Sequence, residues 1–200
     1  MKLHTTLLLL ALPAALFALA AARPDEKPTP AGAGTYAIDN VHTAVFFKCK
    51  HLDTSWSFGR FDQVSGSFTL DTDKPENSKV DVTIDTSSVN TNDEKRDSHL
   101  KSPDFFDVKQ FPTATFKSKS VKKQGAHNYA VTGDLSFHGT TQSVTLDMEH
   151  TGSSDTKMAG KRVGFFGTLV ISRAAFGVKY GPDALGDEVT LTLSVEGLAQ

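Results

Sequence analysis

The chain has 200 residues, with 21 Lys and Arg against 23 Asp and Glu, and a single cysteine. Its formal net charge of −2 argues against nucleic acid or an anionic membrane surface as the main partner, because both attract basic proteins. One cysteine excludes an internal disulfide, so a buried core must stabilise the fold, and the length suits one domain.

The N-terminus has the pattern of a cleaved secretory signal. Lys2 provides a short positive region, residues 7–19 are apolar, and small-residue cleavage motifs occur at 18–20 and 20–22. Since the apolar run is short for a bilayer span, we expect residues 1–22 to be removed during export.

A linker and one domain are predicted after the signal. Residues 23–34 are rich in Pro, Gly and Ala and show no periodicity, which is typical of a flexible linker. The remaining residues, 35–199, are predicted to form a single domain.

Apolar and polar residues alternate through most of this domain, which indicates strands with one buried face. Turn signals at residues 125–128 and 138–141 predict hairpins between them. The pattern predicts about eight strands, at 41–49, 64–70, 80–84, 114–118, 129–137, 144–148, 165–171 and 189–195.

One stretch breaks the alternation and predicts a helix near residues 92–101. Thr91 and Glu94 fit a capping box, with Thr91 as the N-cap. Pro103 disfavours helix at the preceding residue, so a tight turn is expected at Ser102-Pro103-Asp104. The chain is therefore predicted to be all-β with one inserted helix.

The alternating pattern fits either a sandwich or a barrel, and composition bears on what a barrel would hold. The chain has 14 Phe but only 3 Tyr and 1 Trp. A barrel of about eight strands is filled by its own side chains or holds one small ligand. An interior rich in Phe would suit an apolar guest.

Four stretches contain long motifs in a fixed order, and together they resemble the YceI-like family over nearly the whole domain. They are YAIDNVHTAVFFKCKHLDTSWSFGRF at 36–61, RDSHLKSPDFFDVKQFPTATFKSKS at 96–120, GDLSFHGTTQSVTL at 133–146 and SRAAFGV at 172–178. The resemblance implies an extended, eight-stranded, lipocalin-like antiparallel barrel in the bacterial periplasm or secreted. It also implies a polyisoprenoid lipid or isoprenoid quinone as the guest.

The inward phase of the strands and the helical insert together supply the candidate cavity-lining residues. They are Val45, Phe47, Cys49, Phe68, Ile84, Leu100, Phe105, Phe106, Phe116, Leu135, Phe137, Phe165, Leu169 and Phe176. Ala175 and Gln142 depart from the family, which often has an acidic residue and Lys there. If these positions contact a head group, the choice of lipid would differ.

The helix near residues 92–101 is expected to cover the mouth of the barrel. Its charged face would meet solvent, while Leu100, Phe105 and Phe106 would point into the mouth. The alternative is that Phe105 and Phe106 fill an ordinary core.

Other chemistry has weaker support in the sequence. The six histidines beyond the signal show no metal-ligand spacing, so no metal or other cofactor is expected. His42, His99 and His138 are predicted to hydrogen-bond backbone or carboxylates at strand ends, and Arg96-Asp97 is predicted to be a structural ion pair.

Cys49 is interpreted as a buried hydrophobe, with a redox-active thiol as the alternative. Trp56 fits either a mouth aromatic or the core.

Three classes of function are compatible with these features. The preferred one is a non-enzymatic carrier or store of an isoprenoid lipid, for which transient membrane contact and a homodimer are also compatible. The alternative is a stress-response or interaction barrel whose core is filled by its own side chains. An enzyme acting on a lipid is disfavoured because the sequence has no recognisable nucleophile motif.

Overall fold

The structure is a computed structural model that describes residues 32–200. The predicted signal and all but the end of the predicted linker lie outside this range. Within residues 32–200, no helix is both long and apolar enough to cross a membrane.

The described chain is built almost wholly of antiparallel strands. Eleven strands and one α-helix occur in chain order: β1 Gly34–Ile38, β2 Ala44–His51, β3 Ser55–Phe61, β4 Val64–Leu70, β5 Lys79–Asp85, β6 Val89–Asn90, α1 Glu94–Leu100, β7 Thr113–Lys123, β8 Asn128–Phe137, β9 Thr140–Thr156, β10 Gly160–Ser172 and β11 Leu185–Ala199. Three short 3-10 helices lie at Pro75–Asn77, Thr86–Ser88 and Ala174–Phe176.

Three long strands are bent, and each is divided into two consecutive segments: β1 with β2, β3 with β4, and β5 with β6. β4 pairs with β1 on one side and β5 on the other, and β3 pairs with β2 on one side and β6 on the other. β11 pairs with both halves of the first long strand, through Tyr36–Ala199 and Val45–Leu193 among others. The sheet therefore closes into a barrel of eight long antiparallel strands, as predicted.

A bend explains why the first predicted strand is shorter in the structure, whereas β7, β9 and β11 extend beyond their predicted ranges. The predicted strand 41–49 begins at Ala44, because residues 39–43 form the bend between β1 and β2. The sequence pattern missed β1 and β3. In β3, Trp56 and Phe58 are exposed, so the usual rule that large apolar residues mark the inner face fails there.

The first bend is held by a charged network. Arg162 of β10 donates to the carboxylates of both Asp39 and Glu196, and His42 is hydrogen-bonded to Asp39. The arginine and the histidine hold the pKa of Asp39 well below its ordinary value. Asp39, His42 and Glu196 have the spacing of metal ligands, but the Arg162 guanidinium already supplies the positive charge between the two carboxylates.

The inserted helix is shorter than predicted and has a different N-cap. Its N-cap is Asp93, whose carboxylate accepts from the Arg96 backbone N–H at 2.8 Å. Asn92 has a φ of +61°, which is incompatible with the first turn of a right-handed helix. Thr91 therefore cannot be the N-cap. The predicted turn after the helix is present, with Phe105 N–H donating to the Ser102 carbonyl.

The two ends of the barrel differ. One end, called the lower end, carries the turns at residues 71–78, 124–127 and 157–159. The opposite or upper end carries α1, the β2–β3 turn and the segment between β10 and β11. The predicted β8–β9 hairpin also lies there. His138 and Gly139 have φ of +49° and +73°, which are the positive values that a two-residue type I′ turn requires. The α-helix and the longest connections therefore lie at the upper end.

Candidate functional site

The interior of the barrel contains a lower chamber whose surface is almost wholly apolar. Its free space, traced by the centre of a water-sized sphere, is about 140 Å³, whereas one water needs about 10–15 Å³ by the same measure. The chamber is lined by Ile38, Thr43, Val45, Val64, Phe68, Thr69, Leu70, Ser78, Val80, Val82, Ile84, Phe116, Val121, Tyr129, Val131, Leu135, Leu146, Met148, Phe165, Leu169, Leu191, Leu193 and Val195. The side chains of the barrel therefore do not fill it.

A second, upper chamber lies beneath α1 and the loops of the upper end. Its free space by the same measure is about 430 Å³. It is lined by Phe47, Cys49, His51, Ser57, Phe58, Phe61, Thr91, Arg96, His99, Leu100, Phe105, Phe106, Phe137, Ile171, Arg173, Val178, Tyr180, Gly181, Ala184, Leu185, Val189 and Leu191. Unlike the lower chamber, it is bordered by arginine and histidine side chains as well as apolar ones.

Leu191 of β11 lines both chambers. It pairs with Phe47 of β2 on one side and with Leu169 of β10 on the other, so its side chain lies at the junction of the two spaces. The chambers thus follow one another along the barrel and offer an elongated interior suited to a chain-like guest.

Thirteen of the fourteen predicted lining residues border one of the chambers. Seven border the lower chamber: Val45, Phe68, Ile84, Phe116, Leu135, Phe165 and Leu169. Six border the upper chamber: Phe47, Cys49, Leu100, Phe105, Phe106 and Phe137. Phe176 borders neither. It is 1% exposed and packs against Phe137, with ring centroids 6.1 Å apart, within the cluster of buried side chains that includes Phe116 and Leu135.

Sequence reasoning missed several lining residues. Leu191 and Leu193 share the inward phase of a predicted strand, so alternation alone could have found them. Val178 and Tyr180 lie in the segment between β10 and β11, which has no periodicity. Only the folded chain brings that segment over the mouth.

The lid of the upper chamber is held by aromatic contacts. Phe105 contacts His99 and Tyr180, with ring centroids 4.9 and 5.1 Å apart. Phe106 contacts Phe61 and Phe137 at 5.8 and 5.5 Å. Both rings therefore connect the segment after α1 to the barrel wall and loop; a seal at the mouth stays a prediction.

Thr91 anchors the helix to the barrel, and the predicted ion pair between Arg96 and Asp97 does not form. Arg96 donates to the Thr91 hydroxyl and carbonyl, each at 2.8 Å. Asp97 accepts from the Thr91 backbone N–H and hydroxyl at 2.8 and 2.6 Å. Adjacent helical residues point in different directions, so Arg96 and Asp97 reach the same threonine from two sides.

The remaining loop over the mouth is fixed by Arg173. Its guanidinium donates to the carbonyls of Val178, Tyr180, Leu185 and Gly186, at distances between 2.7 and 3.1 Å. With its donors bound to carbonyls, Arg173 positions the loop and is poorly placed to contact a guest directly.

The three histidines in the family-like motifs make the predicted type of hydrogen bond. His42 bonds to Asp39, His99 to Asp104 at 2.9 Å and His138 to the Phe176 carbonyl at 3.2 Å. Each lies next to a bend, the lid or a turn. Their contacts indicate structural roles.

Cys49 borders the upper chamber and donates to the Gly186 carbonyl at 3.3 Å. Burial raises the pKa of its thiol above the ordinary value, which lowers the fraction of reactive thiolate. This supports the interpretation of Cys49 as a small buried hydrophobe.

Ala175 and Gln142, the two departures from the family pattern, lie outside both chambers. The Gln142 side-chain amide donates to the Ala175 carbonyl at 2.8 Å, and Ala175 is exposed. The pair joins the start of β9 to the 3-10 helix after β10. Neither residue is placed to contact a head group, so they do not explain lipid choice.

Trp56 is neither at the inner mouth nor in the core. It is half exposed on the outer face of β3, with Lys48 and Lys50 Nζ at 4.7 and 5.0 Å from the ring centroid. Its surroundings are those of an external surface.

The fold and the interior define a class of protein: a lipocalin-like, eight-stranded antiparallel barrel with an apolar cavity under a helical lid. The sequence model of the family described as the YceI-like domain matches residues 36–197. The chain therefore belongs to the YceI-like family.

Relatives and solved structures agree with this assignment. The protein YceI of Escherichia coli O17:K52:H18 is 42% identical over 170 residues, which cover 84% of this chain and 88% of that protein. BcnA of Burkholderia cenocepacia superposes with a TM-score of 0.71 and 27% identity, over 80% of this chain and 98% of BcnA. A polyisoprenoid-binding domain from Saccharophagus degradans superposes with a TM-score of 0.64 over 84% of this chain and 100% of that domain. Its identity is 16%, so that likeness concerns the fold.

Proposed function

We propose that this protein binds and carries or stores a long apolar lipid, a polyisoprenoid or an isoprenoid quinone, without changing it chemically. The observation that carries the proposal is the unfilled, almost wholly apolar lower chamber, which shares the lining residue Leu191 with the upper chamber. An apolar cavity of this kind is poorly suited to water. The polyisoprenoid-binding domain of Saccharophagus degradans shares the fold.

The energetics favour a long chain over a small apolar molecule. Each five-carbon isoprene unit contributes roughly 4 kcal/mol on burial, at about 0.8 kcal/mol per CH₂-sized group. Association and ordering cost on the order of 4–15 kcal/mol. Several enclosed units are therefore needed for tight binding, and two consecutive chambers can enclose more of them than one.

The distribution of polar groups gives the guest a direction. Thr91, Arg96 and His99 border the upper chamber, whereas the lower chamber offers an almost unbroken apolar surface. The apolar tail would occupy the lower chamber, and any polar end would remain beneath α1.

A self-filled barrel acting in stress response or protein interaction is less compatible with the observed interior. Such a barrel would need its own side chains to occupy the space. Free volumes of about 140 and 430 Å³ weigh against that alternative.

The proposal also includes the cellular setting. The signal-like pattern in residues 1–22 supports export to the periplasm or beyond, with transient membrane contact and a homodimer as further parts of the hypothesis. No cofactor beyond the lipid is proposed. Fractionation of the native host and N-terminal sequencing would test export, and a mature N-terminus near residue 23 is the expected result.

The experiment that tests lipid binding is organic extraction of the protein purified from its native host, followed by mass spectrometry. We expect the extract to contain more of one apolar chain lipid than the extract of an unrelated periplasmic protein purified in parallel. If no lipid is extracted, the delipidated protein is incubated with decaprenol and ubiquinone. Failure to retain either would overturn the proposed function.

A further inference from the structure

The outer face of the β2–β3 hairpin presents large apolar side chains to solvent. Leu52, Trp56 and Phe58 are 56%, 48% and 61% exposed. Lys48 and Lys50 share this face, because each lies directly opposite one of the two aromatics in the β2–β3 register. We call these five residues the hairpin patch.

The lysines of the hairpin patch are not paired with carboxylates, so their charges can interact with a binding partner. Neither Lys48 nor Lys50 forms a salt bridge with any carboxylate in residues 32–200. Both ammonium groups lie over the Trp56 ring instead, an arrangement stabilised by cation–π attraction. Asp53 is the only acidic residue between Ala44 and Phe61.

The hairpin patch is continuous with the upper chamber. Phe58 is exposed on the outer surface and also borders that chamber. One edge of β3 pairs with β2 along its whole length. The other edge pairs with β6 only through Arg60 and Phe61, so from Ser55 to Gly59 that edge has no strand neighbour among the described residues. Thr91 and Arg96 of the neighbouring insert border the same chamber. A surface that covered Phe58 would therefore lie beside the upper chamber.

We propose that the hairpin patch docks this protein on the surface of an anionic lipid bilayer. Trp, Phe and Leu side chains partition into the interfacial region of a bilayer, and adjacent lysines are attracted to anionic head groups. The proposal rests on the function proposed above, because docking at this position would bring the upper chamber next to the bilayer from which an apolar lipid is taken or to which it is released.

The overall negative charge does not oppose such docking. Electrostatic interactions between exposed charges decay over about 8–10 Å at physiological ionic strength, so the local lysines dominate at the contact. The same lysines disfavour a second copy of this chain as the partner. A two-fold interface places the same patch on both sides, so lysine would approach lysine.

The test uses Trp56 as a reporter, since it is the only tryptophan in the chain. The full-length gene is expressed with export, and mass spectrometry checks that all variants share one N-terminus. Protein is titrated with vesicles of phosphatidylethanolamine and phosphatidylglycerol, and in parallel with phosphatidylcholine vesicles. We expect a blue shift of Trp56 emission with the anionic vesicles, and quenching when their acyl chains are brominated.

Variants separate the contributions of charge and apolar contact. Lys48→Ser with Lys50→Ser should weaken partitioning roughly 25-fold, about fivefold for each lysine. Phe58→Ser should weaken partitioning to anionic and neutral vesicles alike. The matched control, Lys122→Ser with Lys123→Ser, removes two exposed lysines at the lower end and should bind like the wild type.

Three results would overturn the docking proposal. They are an unchanged Trp56 spectrum with anionic vesicles, an equal loss of binding in the Lys122/Lys123 control, and a blue shift without vesicles that accompanies a doubling of molecular mass. The last would identify a second copy as the partner. If the wild type retains an extracted lipid but does not bind vesicles, docking is refuted and the proposed function is not. Docking by a protein that retains neither decaprenol nor ubiquinone supports the patch and refutes the proposed function.

Discussion

Leu191→Trp should block the passage between the two chambers. Leu191 borders both spaces, and an indole ring at this position would extend into free volume at the junction. We expect the variant to fold and to lose the part of the guest that reaches the lower chamber.

The size of the effect follows from the length of chain excluded. Each isoprene unit displaced from the lower chamber removes roughly 4 kcal/mol of burial. At about 1.4 kcal/mol per factor of ten, the affinity falls about a thousandfold for each unit. If the ring did not fit, overpacking would cost about 1–3 kcal/mol and lower the thermal midpoint by about 2–12 °C.

The assay compares the wild type, Leu191→Trp and Thr192→Trp. Thr192 is the next residue of β11 and therefore points to the opposite face of the sheet, so it controls for introducing tryptophan into this strand. Extracted lipid per mole of protein is measured beside the thermal midpoint of the delipidated protein. Unchanged occupancy in a normally folded Leu191→Trp variant would refute a guest that passes between the chambers.

Three further predictions concern the lid, the wall and the pH dependence. Changing Phe105 and Phe106 together to Ser should speed lipid release while the barrel still unfolds cooperatively, because both lie outside the strands; a stopped-flow off-rate that matches the wild type would contradict a seal. Phe137→Asp should lower lipid occupancy and cost several kcal/mol of stability by placing a charge in an apolar wall, and full occupancy by mass spectrometry would show that the wall is assigned wrongly. Burial lowers the pKa of His150 below its ordinary 6.5, so the unfolded chain binds more protons and the free energy of unfolding falls as the pH drops below about 6.5. Urea titrations at several pH values should show a shallower fall for His150→Gln, and identical slopes would rule out this histidine as the cause.

Much of the barrel could be predicted from sequence because burial of one sheet face leaves a local, two-residue period. Alternation indicated which residues of β2, β4, β5, β7, β8 and β10 face inward, and thirteen of the fourteen candidates border a chamber. The exception, Phe176, shows the limit of the method. Sequence marks it as an apolar residue near the mouth, but its contact with Phe137 depends on the path of the loop.

The helix boundary shows a second limit. Thr91 and Glu94 match a capping box, and Asp93 matches an N-cap equally well in isolation. In the structure the Thr91 side chain is bound by Arg96 and Asp97, and the positive φ of Asn92 leaves Asp93 to cap. Local patterns indicated that a helix starts here, and contacts within the folded insert selected the residue.

The amino-acid sequence by itself determined the strand phases, the inserted helix and the apolar character of the interior, since each follows from residues a few positions apart. Tertiary structure decided where the long strands bend, that a free space remains, and that Leu191 lies between two chambers. It also placed Trp56 beside Lys48 and Lys50 on the outer face. The position of Trp56 follows from the register of the β2–β3 hairpin, whereas the free space and the position of Leu191 depend on barrel closure, in which β11 pairs with strands more than a hundred residues earlier. No local period records which side chains meet across the closed barrel or how much space they leave.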